Sequence, residues 1–153
     1  MLTTKAEKAT TKLLIYSVGK LYVAVPLDEV VKVIRAPEIF QSGEKTLGMS
    51  YFEGSEVLVV DLYHEIFGGS GSASRYMIVM RGEAQEFYGV PVSGLPIMKD
   101  VLLKNVHPIP REYRDRDTLG VASHMVQILI EKEVQTIFLL SSEKLLTIIR
   151  NQK

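Results

Sequence analysis

The side chains in this sequence that could do chemistry are few and scattered. There are three histidines, His64, His107 and His124, and two serines of interest, Ser93 beside Gly94 and Ser123 beside His124. Catalysis needs a nucleophile, a base or a metal, each oriented by neighbours. A zinc-hydrolase helix sets two imidazoles on one face as His-Glu-x-x-His. His64-Glu65 begins such a run, but no second histidine follows. Neither Ser93-Gly94 nor Ser123-His124 lies in a Gly-x-Ser-x-Gly elbow. Asp115 and Asp117 interleave with Arg114 and Arg116, the pattern of a self-neutralised, solvated loop rather than an acid–base pair. The absence of cysteine removes disulfides, thiolate metal sites and thiol nucleophiles together. Gly68-Gly69-Ser70-Gly71-Ser72 lacks the Gly-Lys-Ser/Thr ending of a phosphate-binding loop and reads as a flexible connection. The expectation is a protein that is not an enzyme and carries neither cofactor nor metal.

Binding of nucleic acid fares no better. Arg111, Arg114 and Arg116 cluster around Tyr113, but Glu112, Asp115 and Asp117 cancel most of their field. Over the whole chain 18 basic residues balance 18 acidic ones, so no global basic excess is left to neutralise phosphates. The apolar fraction of 46% and charged fraction of 24% are those of an ordinary globular protein, and 153 residues suffice to bury a core without staples. No apolar run approaches the roughly 18 residues that cross a bilayer, and Leu13-Leu14-Ile15 is too short for a signal-peptide core. A soluble protein, with no direct membrane insertion, is expected.

The elements that would position any functional residue read mostly as short strands. Residues 1–11 form a polar, Thr-rich arm without period. A strand marked by Leu13, Ile15 and Val18 is followed by a Gly19-Lys20 turn and a strand from Leu21 to Val25, which Pro26 ends. Leu27, Val30, Val31, Val33 and Ile34 fit a helical turn running into a bent strand, and periodicity does not separate the two. A loop from Ala36 to Thr46 precedes strands at Leu47–Tyr51 and Val57–Val60, joined by a turn at Glu53-Gly54. Asp61 is placed to cap a short helix, Leu62–Phe67. Leu145, Leu146, Ile148 and Ile149 make the apolar stripe of a C-terminal helix.

The second half of the chain echoes the first. Tyr22–Leu27 is matched by Phe87–Val92, Leu47-Gly48 by Leu119-Gly120, and Val57–Val60 by Ile137–Leu140, in the same order. Many short strands with turn signals about every 8–12 residues predict an all-β fold. The duplication predicts two small barrels side by side, spanning about 12–70 and 71–150, with a groove at the seam. Lys32 and Arg35 interrupt the apolar run Val30–Ile34, so part of that run is expected to face outward as a binding patch rimmed by charge.

These residues resemble the CheW-like domains of bacterial chemotaxis. Tyr22–Ile34 (Tyr-Val-Ala-Val-Pro-Leu-Asp-Glu-Val-Val-Lys-Val-Ile) is similar to the family's opening strand and Val-x-x-Val-Ile stretch. Leu47–Phe67 resembles its central block, where a Gly-Val-x-x-x-Arg-Gly turn leads to Val-x-Pro-Val-x-Asp-Leu and a short helix. Tyr88–Val92, Leu119–Ala122 and Glu143–Leu146 occupy the later family positions, so the resemblance covers about residues 12–149. It implies two five-stranded SH3-like barrels and a scaffold, without catalysis, that couples the cytoplasmic tips of methyl-accepting chemoreceptors to the regulatory domain of a CheA-type histidine kinase. Such a protein is cytoplasmic, at receptor arrays beneath the inner membrane. The positions implied for partner contact are Val30, Lys32, Val33 and Arg35, then Glu53 and Gly54, then Val90, Val92 and Leu95.

This sequence departs from the family pattern at three places. Glu53 stands where the central turn has Arg, Ser93 where the second half has Asp, and Ser141-Ser142 where a late Asn/Asp-Ile/Leu pair is usual. Arg offers a planar fork of donors and Glu only acceptors, so the partner surface must differ there. A pilus-motility or phototaxis pathway is the alternative within the family; a barrel that binds a small ligand or nucleic acid, or an unrecognised hydrolase, lies outside it.

Overall fold

Leu13-Leu14-Ile15-Tyr16 carries no polar alternation, which fits a strand covered on both faces. The computed structural model describes residues 9–41, 47–69, 73–82, 85–110 and 122–140. There this run lies in β1 (Thr10–Val18), which forms an antiparallel hairpin with β2 (Leu21–Pro26). The turn uses Gly19 at a φ of 59°, in the left-handed region. β1 begins inside the stretch expected to be a free arm, because Thr10 and Thr11 pair with Leu102 and Val101. Threonine is a good strand former, and a neighbouring edge captures it.

After Pro26 a single 3₁₀ turn, Leu27–Glu29, leads into β3 (Val30–Arg35). Both halves of the ambiguous reading are thus present in succession. The bend is a bulge: pairing shifts between Val30 and Lys32 and leaves Val31 without a partner opposite. Next come β4 (Phe40–Gln41), β5 (Leu47–Phe52) and β6 (Ser55–Val60). Helix α1 (Leu62–Phe67) starts where expected, with an Asp61 carboxylate oxygen accepting from the His64 N–H at 3.1 Å. The later strands are β7 (Tyr76–Arg81), β8 (Phe87–Val92), β9 (Ile97–Leu102), β10 (His107–Pro108), β11 (Ala122–Ile130) and β12 (Glu133–Leu140). The expected C-terminal helix and the loop around Tyr113 lie outside the described residues.

The strands make two six-stranded sheets, ordered β10-β11-β12-β2-β1-β9 and β3-β7-β8-β6-β5-β4. Each holds five long strands and one of two residues, so the fold is all-β with two small barrel-like units. Reversing the second order and adding six to its early members reproduces the first: β1 corresponds to β7, β2 to β8, and so on through β6 and β12. The register agrees as well. Parallel pairing sets Ile137 opposite Tyr22 in one sheet and Val57 opposite Phe87 in the other, the correspondence read from the sequence echo.

The sheets do not divide the chain at residue 70. The hairpin β1–β2 belongs to the sheet of β9–β12, while β7–β8 belongs to that of β3–β6. The two repeats have exchanged their first hairpins. Sequence order alone could not reveal this, since either arrangement satisfies the same strand pattern.

Alternation then sorts the core into three parts. Leu13 and Ile15 point into the first barrel with Ala24, Val101, Val126 and Ile137. Met77 and Val79 point into the second with Phe52, Val57 and Val59. Between the sheets the other faces of β1 and β7 meet, joining Leu14, Tyr16 and Val18 to Ile78, Met80, Tyr88 and Val90. The seam is therefore mostly filled rather than an open groove. A pocket of about 130 Å³ remains at one end, lined by Ser17, Asp61, Tyr63 and Ser93 among others.

Candidate docking surfaces

The bulge in β3 decides which of its apolar residues stay inside. Val30 and Val33 are half-buried against the seam cluster, and Ile34 packs into the second barrel. Val31, unpaired at the bulge, is exposed, as are Lys32 and Arg35. The expected outward patch on this strand is thus narrower than the whole run, with Val31 as its apolar member and two cations beside it.

Glu53 and Gly54 form the two-residue tip of the β5–β6 hairpin, fully outside the core. Both have positive φ, 50° and 82°, as a type I′ turn requires. Nothing approaches a Cβ built on Gly54 within 4 Å, so the tip is sterically open to a partner.

Val90 and Val92 require a correction. They are 0% and 3% exposed and belong to the seam cluster, so they offer no surface for contact. β8 lies between β7 and β6, which covers its edges, and the facing sheet covers the side of Val90 and Val92. Leu95, just beyond that strand, is the opposite case at 70% exposed. In strand order the Glu53 turn is separated from β3 by β7, β8 and β6, so the implied contact residues form more than one surface.

The structure adds one apolar surface that the sequence reading did not single out and extends a second around Leu95. On β4–β5, Phe40 sits directly opposite Met49, and Tyr51 follows two residues along on the same face. All three are exposed. The Glu53 turn closes the end of this strand, placing a carboxylate at the edge of an apolar patch. The alternation in Leu47–Phe52 carried the signal, since its burial pattern is inward at Ser50 and Phe52 and outward at Met49 and Tyr51. The second surface follows Leu95 along β9, where Ile97 and Met98 are exposed on a strand whose one partner among the described residues is β1.

Among the described residues, the reactive groups are not brought together in a catalytic arrangement. His124 Nδ1 lies 2.8 Å from Oγ of its chain neighbour Ser123, in an exposed contact. Among the described residues no ion pair joins that imidazole to a carboxylate, the third group that would orient it as a base. Asp61 is engaged as a helix cap. Among the described residues no group of three or more His, Asp or Glu is arranged to hold a metal, and no helix is long and apolar enough to cross a membrane. Tyr16 is the one strongly perturbed group among those described. Burial in the seam drives its phenol far above the usual tyrosine range, with Tyr88 adding to the effect. Its hydroxyl has no hydrogen-bond partner among the described residues.

A family model described as the CheW-like domain matches residues 12–150. The chain belongs to the CheW-like domain family. Its fold is also similar to that of the scaffolding protein TtCheW from Thermoanaerobacter tengcongensis. The TM-score is 0.72 at 14% identity, covering 88% of this chain and 86% of that one. No curated protein matches the chain. At such low identity the likeness carries the fold, and CheW-like membership is what makes a scaffold the general expectation for the surfaces described above.

Proposed function

We propose that this CheW-like protein is an adaptor, without catalysis of its own, that couples chemoreceptor cytoplasmic tips to the regulatory domain of a CheA-type histidine kinase. It acts in the cytoplasm at receptor arrays. The observation that carries this reading is the set of exposed apolar side chains: Phe40, Met49 and Tyr51 on one face of β4–β5, and Leu95, Ile97 and Met98 along the β9 edge. Two separate faces suit a bridge between two partners. Joining receptor and kinase raises the concentration of each near the other, which needs no reactive group. Single contacts of this size are modest and gain strength by repetition in a lattice.

The test is a pair of substitutions. Tyr51→Lys puts a charge in the β4–β5 patch and is expected to weaken binding to one of the two partners about tenfold, which corresponds to about 1.4 kcal/mol. Glu53→Arg reverses the charge at the tip and is expected to weaken pairing with this protein's own receptor. Both side chains are exposed, so melting temperatures should hold. Unchanged affinity for both partners in both variants would remove the β4–β5 face from the interface.

A further inference from the structure

The exchange of hairpins between the two repeats has a consequence for two copies of the chain. We propose that the protein forms a symmetric dimer in which each copy inserts its β1–β2 hairpin into the first sheet of the other. The hairpin is already a visitor in that sheet. It belongs in sequence to the repeat of β3–β6 but pairs with β9 on one side and β12 on the other. A second copy offers the same two edges in the same register, Thr10–Ile15 against Ile97–Leu102 and Tyr22–Ala24 against Ile137–Leu139. The strand pairings of the hairpin in the closed chain are then available in the dimer, and concentration and the connecting segment decide between them.

That connecting segment is short. Leu27–Glu29 is a single 3₁₀ turn of three residues, with no buried side chain and no side-chain cap. Pro26 before it is already extended, at φ −60° and ψ 136°. Straightening the turn gives up the Val30 N–H to Leu27 carbonyl bond at its end and the contacts that half-buried Leu27 makes with the seam cluster. The hairpin itself cannot remain free in water. Leu13 and Ile15 on one face and Leu14, Tyr16 and Val18 on the other are all buried, so it must be covered by its own chain or by another. A short crossover between two such demanding parts is the condition under which copies exchange elements.

The absence of cysteine makes the test clean. Lys12 on β1 lies opposite Asp100 on β9, their charged groups 3.9 Å apart and both well exposed, so a thiol introduced at either site leaves the core untouched. Full-length chains carrying Lys12→Cys and Asp100→Cys are unfolded, mixed and refolded together at about 1 mM, near the effective concentration of a short tether. The same chains refolded apart and then mixed serve as the reference. The expected result is a dimer by light scattering in which a disulfide joins position 12 of one chain to position 100 of the other, several-fold above the reference. Return of the mixture as monomer alone, or a dimer without that link, overturns the proposal. Partner binding by the monomer is unaffected by either result, so the adaptor reading stands or falls separately.

Discussion

Among single residues, the most informative side chain is Tyr16. Its hydroxyl is buried in the seam without a partner among the described residues, a loss of hydration that the fold does not return. Tyr16→Phe is therefore expected to raise stability by about 1 kcal/mol, or about 3 °C in melting temperature for a chain of this size. A fall of similar size would mean that the hydroxyl is hydrogen-bonded after all. The pH dependence has a definite sign. The phenol ionises more readily in the unfolded chain than in the folded one, so the unfolded state releases the proton first. The stabilising difference is fully present below about pH 10 and is lost as pH rises above it, at about 1.4 kcal/mol per pH unit. Urea denaturation from about pH 9 to about pH 11 should show that slope in the parent and a flatter one in the Phe variant. Nothing in the sequence marked Tyr16, since a tyrosine in a strand reads the same whether its hydroxyl reaches water or not. Val90 and Val92 fail for a related reason. A resemblance carries positions, but burial depends on which sheet lies opposite, and that is set by strands far away in the chain.

In the individual strands and the helix, local chemistry was largely legible. Asp61 before an apolar run marked α1, and its carboxylate does cap the helix at His64. Asp61→Ala should lower stability by about 1 kcal/mol. A scan by thermal melting checks this, and Asp61→Asn, which keeps the accepting oxygen, should recover most of the loss. The same helix braces the β1–β2 turn: a Cβ on Gly19 would come within 2.8 Å of the Phe67 ring. Strand positions followed from β-branched residues and turn signals, whereas the bulge at Val31 did not. A bulge is decided by how two strands register against each other, which no single segment encodes. That one extra residue turns Val31 outward and makes β3 a mixed surface of one exposed valine with Lys32 and Arg35.

Across the molecule, the duplication was legible and its connectivity was not. The echo of Tyr22 in Phe87 and of Ile137 in Val57 holds to the residue in the parallel pairings. Yet the repeats share their hairpins, and the seam cluster draws on both sheets. Neither barrel can lose its structure without exposing part of the other's core. Calorimetry should accordingly show one cooperative transition, with equal calorimetric and van 't Hoff enthalpies. Two separated transitions would mean that the barrels are independent units. The filled seam also moves the candidate docking function outward, from a groove between barrels to the β4–β5 face and the β9 edge.

These surfaces are expected to join two partners at once. Analytical ultracentrifugation of the chain with a CheA-type kinase regulatory domain and a receptor signalling tip tests it most directly. The expected outcome is a ternary complex, with each pairwise Kd in the tens of micromolar or tighter. Failure to bind either partner at about 100 μM, or binding of the two only in competition for one face, would contradict it.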